Sequence, residues 1–356
     1  MLNKSNRIPL TYKDRPVVGL DIGTKTVKLI QLKKLRGGSK VVAYGEADYP
    51  VDSIVEGIIV DPQLIADVVK PVLSKPKYGR FTARRVAASL PTDKVFIRVV
   101  NLPSMEEVEL EPAIMLEAEQ YVPVPIAHLY VDYEIITKSP EGCVVLMVAA
   151  PSAIVDSYVQ LFDLLELEPA LVEPDILAAA RAVAPYVKVG QAALVVDIES
   201  ESTSIAIYDR DVRVTNTISL GGDNVTTQMV KKLGLTKEQA EEIKVKFGLG
   251  ESGLHDKIVA AIKPTLDTMA QEFNRMIHYY ADHGGQDNPV AAVLLAGGTS
   301  QLPGLSETLS DTIKLPISTP NPWTGLKLGY GVKLPEAKDL GAYTTAIGLA
   351  RLGAKL

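Results

Sequence analysis

Two aspartates stand in matching company. Val18-Gly19-Leu20-Asp21-Ile22 and Val195-Val196-Asp197-Ile198 each carry an apolar run to an Asp-Ile pair, and the aspartates are 176 residues apart (197 − 21). Hydroxyls follow each pair, Thr24 and Thr26 in the first copy and Ser200, Ser202 and Thr203 in the second, before another strand pattern begins. An apolar strand delivers its aspartate to the end of a sheet, where the carboxylate can hold Mg²⁺ through water. The tight turn behind it aims backbone N–H groups at a phosphate, and the hydroxyls add donors. Two such hairpins across one cleft would clamp a triphosphate from both sides. One Asp-Ile-Gly turn alone is equally the mark of a plain β-hairpin; the recurrence is what argues for a paired site.

Two further groupings have the chemistry to complete it. In Ala240-Glu241-Glu242-Ile243-Lys244, Glu241 and Lys244 are at i, i+3 on one helical face, where a carboxylate and an ammonium can meet a ribose and an adenine edge, or simply form a surface ion pair. In Leu294-Leu295-Ala296-Gly297-Gly298-Thr299-Ser300 an apolar strand runs into two glycines, which either admit a flat ring or phosphate to the backbone or make an ordinary turn. The lone Cys143, inside an apolar run, reads as a reduced, buried strand cysteine. His128, His255, His278 and His283 lack metal-ligand spacing and read as structural.

These groups need elements to position them. Strands are expected over 17–23, 27–32 and 40–49, then a helix over 62–73 with Asp61 as N-cap and Pro62 at its first position. Residues 85–100 read as strand–turn–strand. A helix follows, capped by Ser104, with Glu106 and Glu107 in its first turn, and stopped after Tyr121 by Pro123 and Pro125. Strands at 130–137 and 143–149 and a helix from Ser152 complete an α/β block of helix, two strands and helix. Strands resume at 192–197, 204–209 and 212–219, and the pattern is helical over 225–285. There Ile258, Ile262, Leu266, Met269, Phe273 and Ile277 form one apolar stripe, read as core. A strand at 290–298 and a helix at 342–352 close the chain.

At 356 residues the chain exceeds one ordinary core and suggests roughly two domains. With 47% hydrophobic and 22% charged residues the balance is that of a globular protein, and a net charge of −6 offers no global attraction to nucleic acid or an anionic membrane. A local basic run, Arg80, Arg84 and Arg85, is expected to be a solvated face. No apolar stretch approaches the roughly 20 residues of a membrane span, and Met1–Arg15 has no signal-peptide core. A cytoplasmic protein is expected.

In this order, two phosphate hairpins, an Ala-Glu-x-x-Lys helix and a Gly-Gly turn resemble the actin-like ATPase superfamily, from residue 17 onward. The stretches Asp21–Leu29, Glu117–Pro123, Asp132-Tyr133, Val148–Pro151 and Glu173–Arg181 are similar to the PilM family of type IV pilus assembly proteins, related to the cell-division protein FtsA. The most specific of these is Glu117-Ala118-Glu119-Gln120-Tyr121-Val122-Pro123. The resemblance implies an α/β, actin-like (ribonuclease H-like) two-lobed fold with an FtsA-type inserted α/β subdomain. Its parts are a flexible tail 1–16, a first lobe 17–190 with the insertion at about 90–168, and a second lobe 191–356 with a helical subdomain at about 225–288.

The resemblance further implies ATP and Mg²⁺ as ligands. Asp21, Gly23, Thr24, Lys25 and Thr26 would take one side of the phosphates, and Asp197 would share the Mg²⁺ with Asp21 through water. Ser200, Ser202, Thr203, Gly222 and Thr299 join the nucleotide set, Glu241 and Lys244 meet ribose and base, and Gly297 and Gly298 back the adenosine. Glu173 matches the place of a water-orienting carboxylate, or is a carboxylate at a helix N-terminus. One departure stands out: Glu199 occupies a turn position where the family usually has Gly, which is expected to crowd the turn and to weaken hydrolysis. The implied partner is the short N-terminal cytoplasmic tail of a PilN-like inner-membrane protein, with pilus motor ATPases, a platform protein and self-association as further contacts. An active, polymerising FtsA-type ATPase and the related type II secretion component are the alternatives.

Overall fold

The computed structural model describes residues 16–353; the expected tail therefore lies, but for Pro16, outside the described residues. β1 (Val17–Ile22) pairs antiparallel with β2 (Thr26–Leu35), and β3 (Gly38–Asp48) continues the meander. Every residue of β1 is buried, as its unbroken apolar run requires of a strand covered on both faces. A short ribbon, β4 (Ile54–Val55) and β5 (Ile58–Ile59), leads to α1 (Pro62–Ser74), which starts as expected: the Asp61 side chain accepts the Leu64 N–H at 2.9 Å. β6 (Tyr78–Gly79) returns against β3, and β7 (Arg85–Leu90) lies parallel to β1.

The strand–turn–strand expected over 85–100 is present, but its strands are not partners. β7 is buried at all six residues and stays in the central sheet. β8 (Phe96–Pro103) is half-exposed and opens a separate antiparallel sheet with β9 (Leu129–Ser139) and β10 (Gly142–Pro151), ordered β8-β10-β9. α2 (Glu107–Tyr121) covers that sheet with Leu110, Ile114 and Ala118. Its N-cap is Glu106, two residues past Ser104, because the Glu109 carboxylate reaches back to accept the Glu106 N–H at 2.9 Å. α3 (Ser152–Leu164) and β11 (Glu168–Pro174) then rejoin the main sheet, β11 parallel to β7.

α4 (Asp175–Val183) crosses to the second lobe, where β12 (Ala192–Ile198), β13 (Thr203–Asp209) and β14 (Asp211–Ile218) repeat the meander. The helical stretch begins at Gly222 and breaks into α5 (Gly222–Leu233), α6 (Lys237–Lys246) and α7 (His255–Asp282), because Gly234 and Gly248 take left-handed φ of 68° and 49°. Five residues of the expected α7 stripe are buried and Ile277 packs at its edge. β15 (Val290–Ala296), α8 (Leu305–Ile313), β16 (Ile317–Ser318), β17 (Leu326–Leu328) and α9 (Thr344–Gly353) follow. The sheets run β11-β7-β1-β2-β3-β17 and β14-β13-β12-β15-β16.

Two helices lock the lobes together. α4 packs Ile176, Ala180 and Val183 against Ala193 and Val195 of β12, while α9 lies over β1. Gly19 and Gly348 permit this: a Cβ on Gly19 would overlap the Ala346 carbonyl, and one on Gly348 the Ala178 carbonyl. Cys143 is buried and free.

Candidate functional site

The two hairpins are superposable in register. Ile22 faces Val27 and Asp21 faces Lys28; 176 residues on (198 − 22), Ile198 faces Thr203 and Asp197 faces Ser204. Each turn is closed by the same bond, Gly23 N–H to Thr26 O and Glu199 N–H to Ser202 O, both 3.0 Å. β1 and β12 also take equivalent parallel neighbours, β7 and β15, so both aspartates arrive at carboxyl ends of strands, where ligands of open α/β sheets collect.

The anticipated crowding by Glu199 is absent. Its φ is not left-handed, and at the equivalent Gly23 a Cβ would meet nothing closer than the Thr26 carbonyl at 3.3 Å. What Glu199 adds is charge. Asp21, Asp175, Asp197 and Glu199 gather where the lobes meet, and burial raises all four carboxyls above their ordinary range. For Asp197 the charges of Asp175 and Asp21 push in the same direction, and for Glu199 those of Asp175, Asp197 and Asp21. Lys28 is the cation that opposes this at Asp21, Asp197 and Glu199. Hydroxyls orient the buried pair: Ser89 donates to Asp21 at 2.9 Å and Thr345 to Asp197 at 3.2 Å.

Asp175, Lys28, Ser89 and Thr345 were not singled out from sequence. Asp175 lies within Glu173–Arg181, two residues past Glu173, and Thr92 holds it from backbone N–H (3.0 Å) and hydroxyl. Glu173 is turned elsewhere: Arg181 grips both its oxygens at 2.6 and 2.7 Å and also donates to the Gly348 carbonyl.

The second lobe supplies the other wall. Gly222 and Asp223, at the start of α5, donate to the Glu199 and Ser200 carbonyls at 2.8 Å each, so turn and helix are one unit. A Cβ on Gly222 would overlap the Thr299 hydroxyl, and one on Gly297, at φ 81°, would overlap Asp197. Nothing lies within 4 Å of a Cβ built on Gly298, which leaves its backbone open. Lys244 bonds Glu241 (2.9 Å), Thr226 (2.8 Å) and the Gly222 carbonyl (3.2 Å). Thr203 is buried, its hydroxyl given to the Leu220 carbonyl, whereas Thr24, Thr26, Ser200 and Ser202 are half-exposed. Across the mouth, Lys25 of the first hairpin meets Asp223 of α5 at 2.5 Å.

This donor set fits a divalent cation held through water. Three of the four carboxylates share one lysine, yet no group of three or more His, Cys, Asp or Glu side chains among the described residues is placed to ligate a metal directly. A hydrated Mg²⁺ between Asp21 and Asp197 would offset the carboxylate repulsion and polarise a phosphate oxygen.

The sequence model described as "Type IV pilus assembly protein PilM" matches residues 19–353. The chain belongs to the PilM family. A solved "PilM-PilN type IV pilus biogenesis complex" superposes with a TM-score of 0.83 at 25% identity, covering 96% of this chain and 99% of that one. Cell division protein FtsA of Pseudomonas aeruginosa is 24% identical over 95% of this chain and 89% of its own length. MreB5 of Spiroplasma citri bound to AMPPNP matches at a TM-score of 0.51 and 14% identity over 94% of each chain, a likeness of actin-like fold alone.

In this PilM-family chain two adjoining cavities, of about 380 and 340 Å³, open where the inserted subdomain meets β14 of the second lobe. Ile97, Arg98, Thr215 and Asn216 line both. Arg98 lies 3.4 Å over the ring of Tyr121, which ends α2 and lies within the Glu117–Pro123 stretch. Thr92 lines the smaller cavity and is the residue that holds Asp175. No helix among the described residues is long and apolar enough to cross a membrane.

Proposed function

We propose that this chain is a nucleotide-switched scaffold of type IV pilus assembly. It holds MgATP between the paired hairpins and a short cytoplasmic tail of a PilN-like inner-membrane protein in the cavity of its inserted subdomain. Hydrolysis is slow or absent. The observation that carries this reading is Thr92: one residue both lines the peptide-sized cavity and bonds Asp175 of the nucleotide site. The solved PilM-PilN complex and the actin-like relative bound to AMPPNP support the two ligands.

In the cleft, Asp21 and Asp197 would hold the hydrated Mg²⁺. Backbone N–H groups of the first turn with Thr24, Lys25 and Thr26 would take the phosphates, Gly298 the adenosine, and Glu241 with Lys244 the ribose and base. Lys25 leaves Asp223 to reach a phosphate, which exchanges one ion pair for another. The cavity walls come from both lobes, so a nucleotide that sets the lobe angle sets the width of the tail site. Calorimetric titration of a synthetic peptide of the tail tests the reading: binding that strengthens with MgATP and is lost in Tyr121→Ala is expected. No binding of the peptide by the wild type sinks it.

One observation favours an active ATPase. Burial pushes Asp175 up to about 7, and a carboxyl near neutrality can take a proton from attacking water. In that reading Asp175→Asn abolishes phosphate release with little change in ATP affinity, while Glu173→Gln acts only through the loss of its Arg181 pair. Phosphate release no faster than a protein-free control eliminates it.

A further inference from the structure

Far from the nucleotide cleft, at the other end of the central sheet, three lysines stand in one row. Lys33 faces Lys40 in the β2–β3 register, and Lys40 faces Lys327 in the β3–β17 register. Side chains opposite one another in adjacent strands share a face, and like charges so placed destabilise a sheet. A single lysine on an edge strand is a common guard against edge pairing; a row across three strands exceeds that need. Two residues before Lys33, on the same face, the buried Gln31 pins the loop 80–84: its amide donates to the Thr82 hydroxyl at 2.7 Å, and its oxygen accepts the Thr82 and Ala83 N–H groups at 2.7 and 3.1 Å. That loop carries Arg80 and Arg84, both exposed.

Arg80 and Arg84 of the run read from sequence as a solvated face are thus anchored beside the lysine row, whereas Arg85, the third, is buried in β7. None of Lys33, Lys40, Lys327, Arg80 or Arg84 enters an ion pair among the described residues. Glu168, whose N–H donates to the Arg84 carbonyl, is in none with them either. Five cations without an ion-pair partner among the described residues sit on one face of a chain whose net charge is −6.

We infer that this patch rests on an anionic lipid surface. The cations lie on an open sheet end, away from both cavities, which suits an extended plane of charge better than a discrete ligand. The segment after β17 adds Tyr330, fully exposed: an aromatic side chain close to lysines, which favours a bilayer interface. Each cation near such a surface strengthens partition by roughly fivefold, so five suffice for reversible, salt-sensitive attachment without any inserted segment. The inference does not depend on the nucleotide or tail sites.

Sedimentation of the full chain with phosphatidylglycerol–phosphatidylcholine vesicles, and with phosphatidylcholine vesicles alone, tests it. The wild type is expected to pellet with the anionic vesicles at low salt and to be released as salt rises. Lys33→Gln, Lys40→Gln and Lys327→Gln together should weaken partition on the order of a hundredfold. A charge-matched set on the second lobe, Lys231→Gln, Lys237→Gln and Lys257→Gln, should leave it unchanged. Equal binding to both vesicle types overturns the inference, as does an equal loss in the second-lobe set. Retention on an acidic polypeptide resin without vesicle binding assigns the patch to a protein and overturns it too.

Discussion

Asp197 carries a strong charge conflict, and its chemistry is set by position. Its strand buries it, β15 covers one side through Gly297, and two other carboxylates point at it. Burial and these neighbours push its carboxyl up to about 8 and that of Asp175 up to about 7, against an ordinary value of 3.8. A carboxyl whose folded pKa exceeds its unfolded one binds more protons in the folded state. Its contribution to stability is therefore full below the unfolded pKa and lost as pH rises through the folded one. Thermal melts of the nucleotide-free protein should show Tm falling between about pH 4 and about pH 8. Asp197→Asn should flatten that slope and raise Tm by a few degrees at the alkaline end. A slope unchanged by the substitution means that the cluster does not hold this charge conflict. Glu199 is part of the same conflict, so Glu199→Gly should tighten MgATP binding, by roughly tenfold if about 1.4 kcal/mol of repulsion at the phosphates is relieved. Unchanged affinity means that Mg²⁺ already screens the side chain. At this scale the sequence was most legible where residues recur: Asp21 and Asp197 announced themselves by their shared neighbours. Asp175, Lys28 and Thr345 did not, because nothing local marks a residue that reaches a site only through the crossing of β11 into α4, the pairing of β2 with β1, or the return of α9.

Elements were legible in proportion to how local their causes are. α1 follows from Asp61 and Pro62, and the α7 stripe from its own spacing, and both stand where expected. The start of α2 moved because Glu106, braced by Glu109, caps the helix in place of Ser104, a choice between local caps two residues apart. The fate of β8 was not local at all: its half-exposed pattern fits a hairpin with β7, yet β7 is already flanked by β1 and β11. The packing of α9 on α4 is likewise tertiary, and it rests on a missing side chain. Alanine at position 348 would gain about 1 kcal/mol of helix propensity. It would also place its Cβ into the Ala178 carbonyl, a backbone atom that cannot swing aside. Overpacking of that kind costs about 1–3 kcal/mol, so Gly348→Ala should lower the urea midpoint of unfolding despite the better helix former. A raised midpoint would show that α4 and α9 can separate freely, and with them the lobes.

At the scale of the whole molecule the question is whether two ligands communicate. The cleft and the cavity share a wall: β14 lines the cavity from the second lobe, Phe96 and Arg98 line it from the inserted subdomain, and Thr92 joins it to Asp175. A change in lobe angle is therefore expected to reach both sites through Thr92. Coupling between two sites is reciprocal, so the factor by which MgATP tightens the tail peptide must equal the factor by which the peptide tightens MgATP, commonly about 5- to 150-fold. Four calorimetric titrations close that cycle. Thr92→Val then isolates the link, since valine keeps the branched shape and the backbone N–H bond to Asp175 but deletes the hydroxyl that binds both Asp175 and the Ile176 N–H. Each ligand alone should bind the variant within a few-fold of wild type, while the coupling factor falls toward one. If the factor survives, the lobes move as rigid bodies and Thr92 is a bystander to their motion. If both single affinities collapse instead, Thr92 holds each site together rather than joining them. Only the loss of coupling with both sites intact identifies Thr92 as the contact through which the nucleotide sets the width of the tail site.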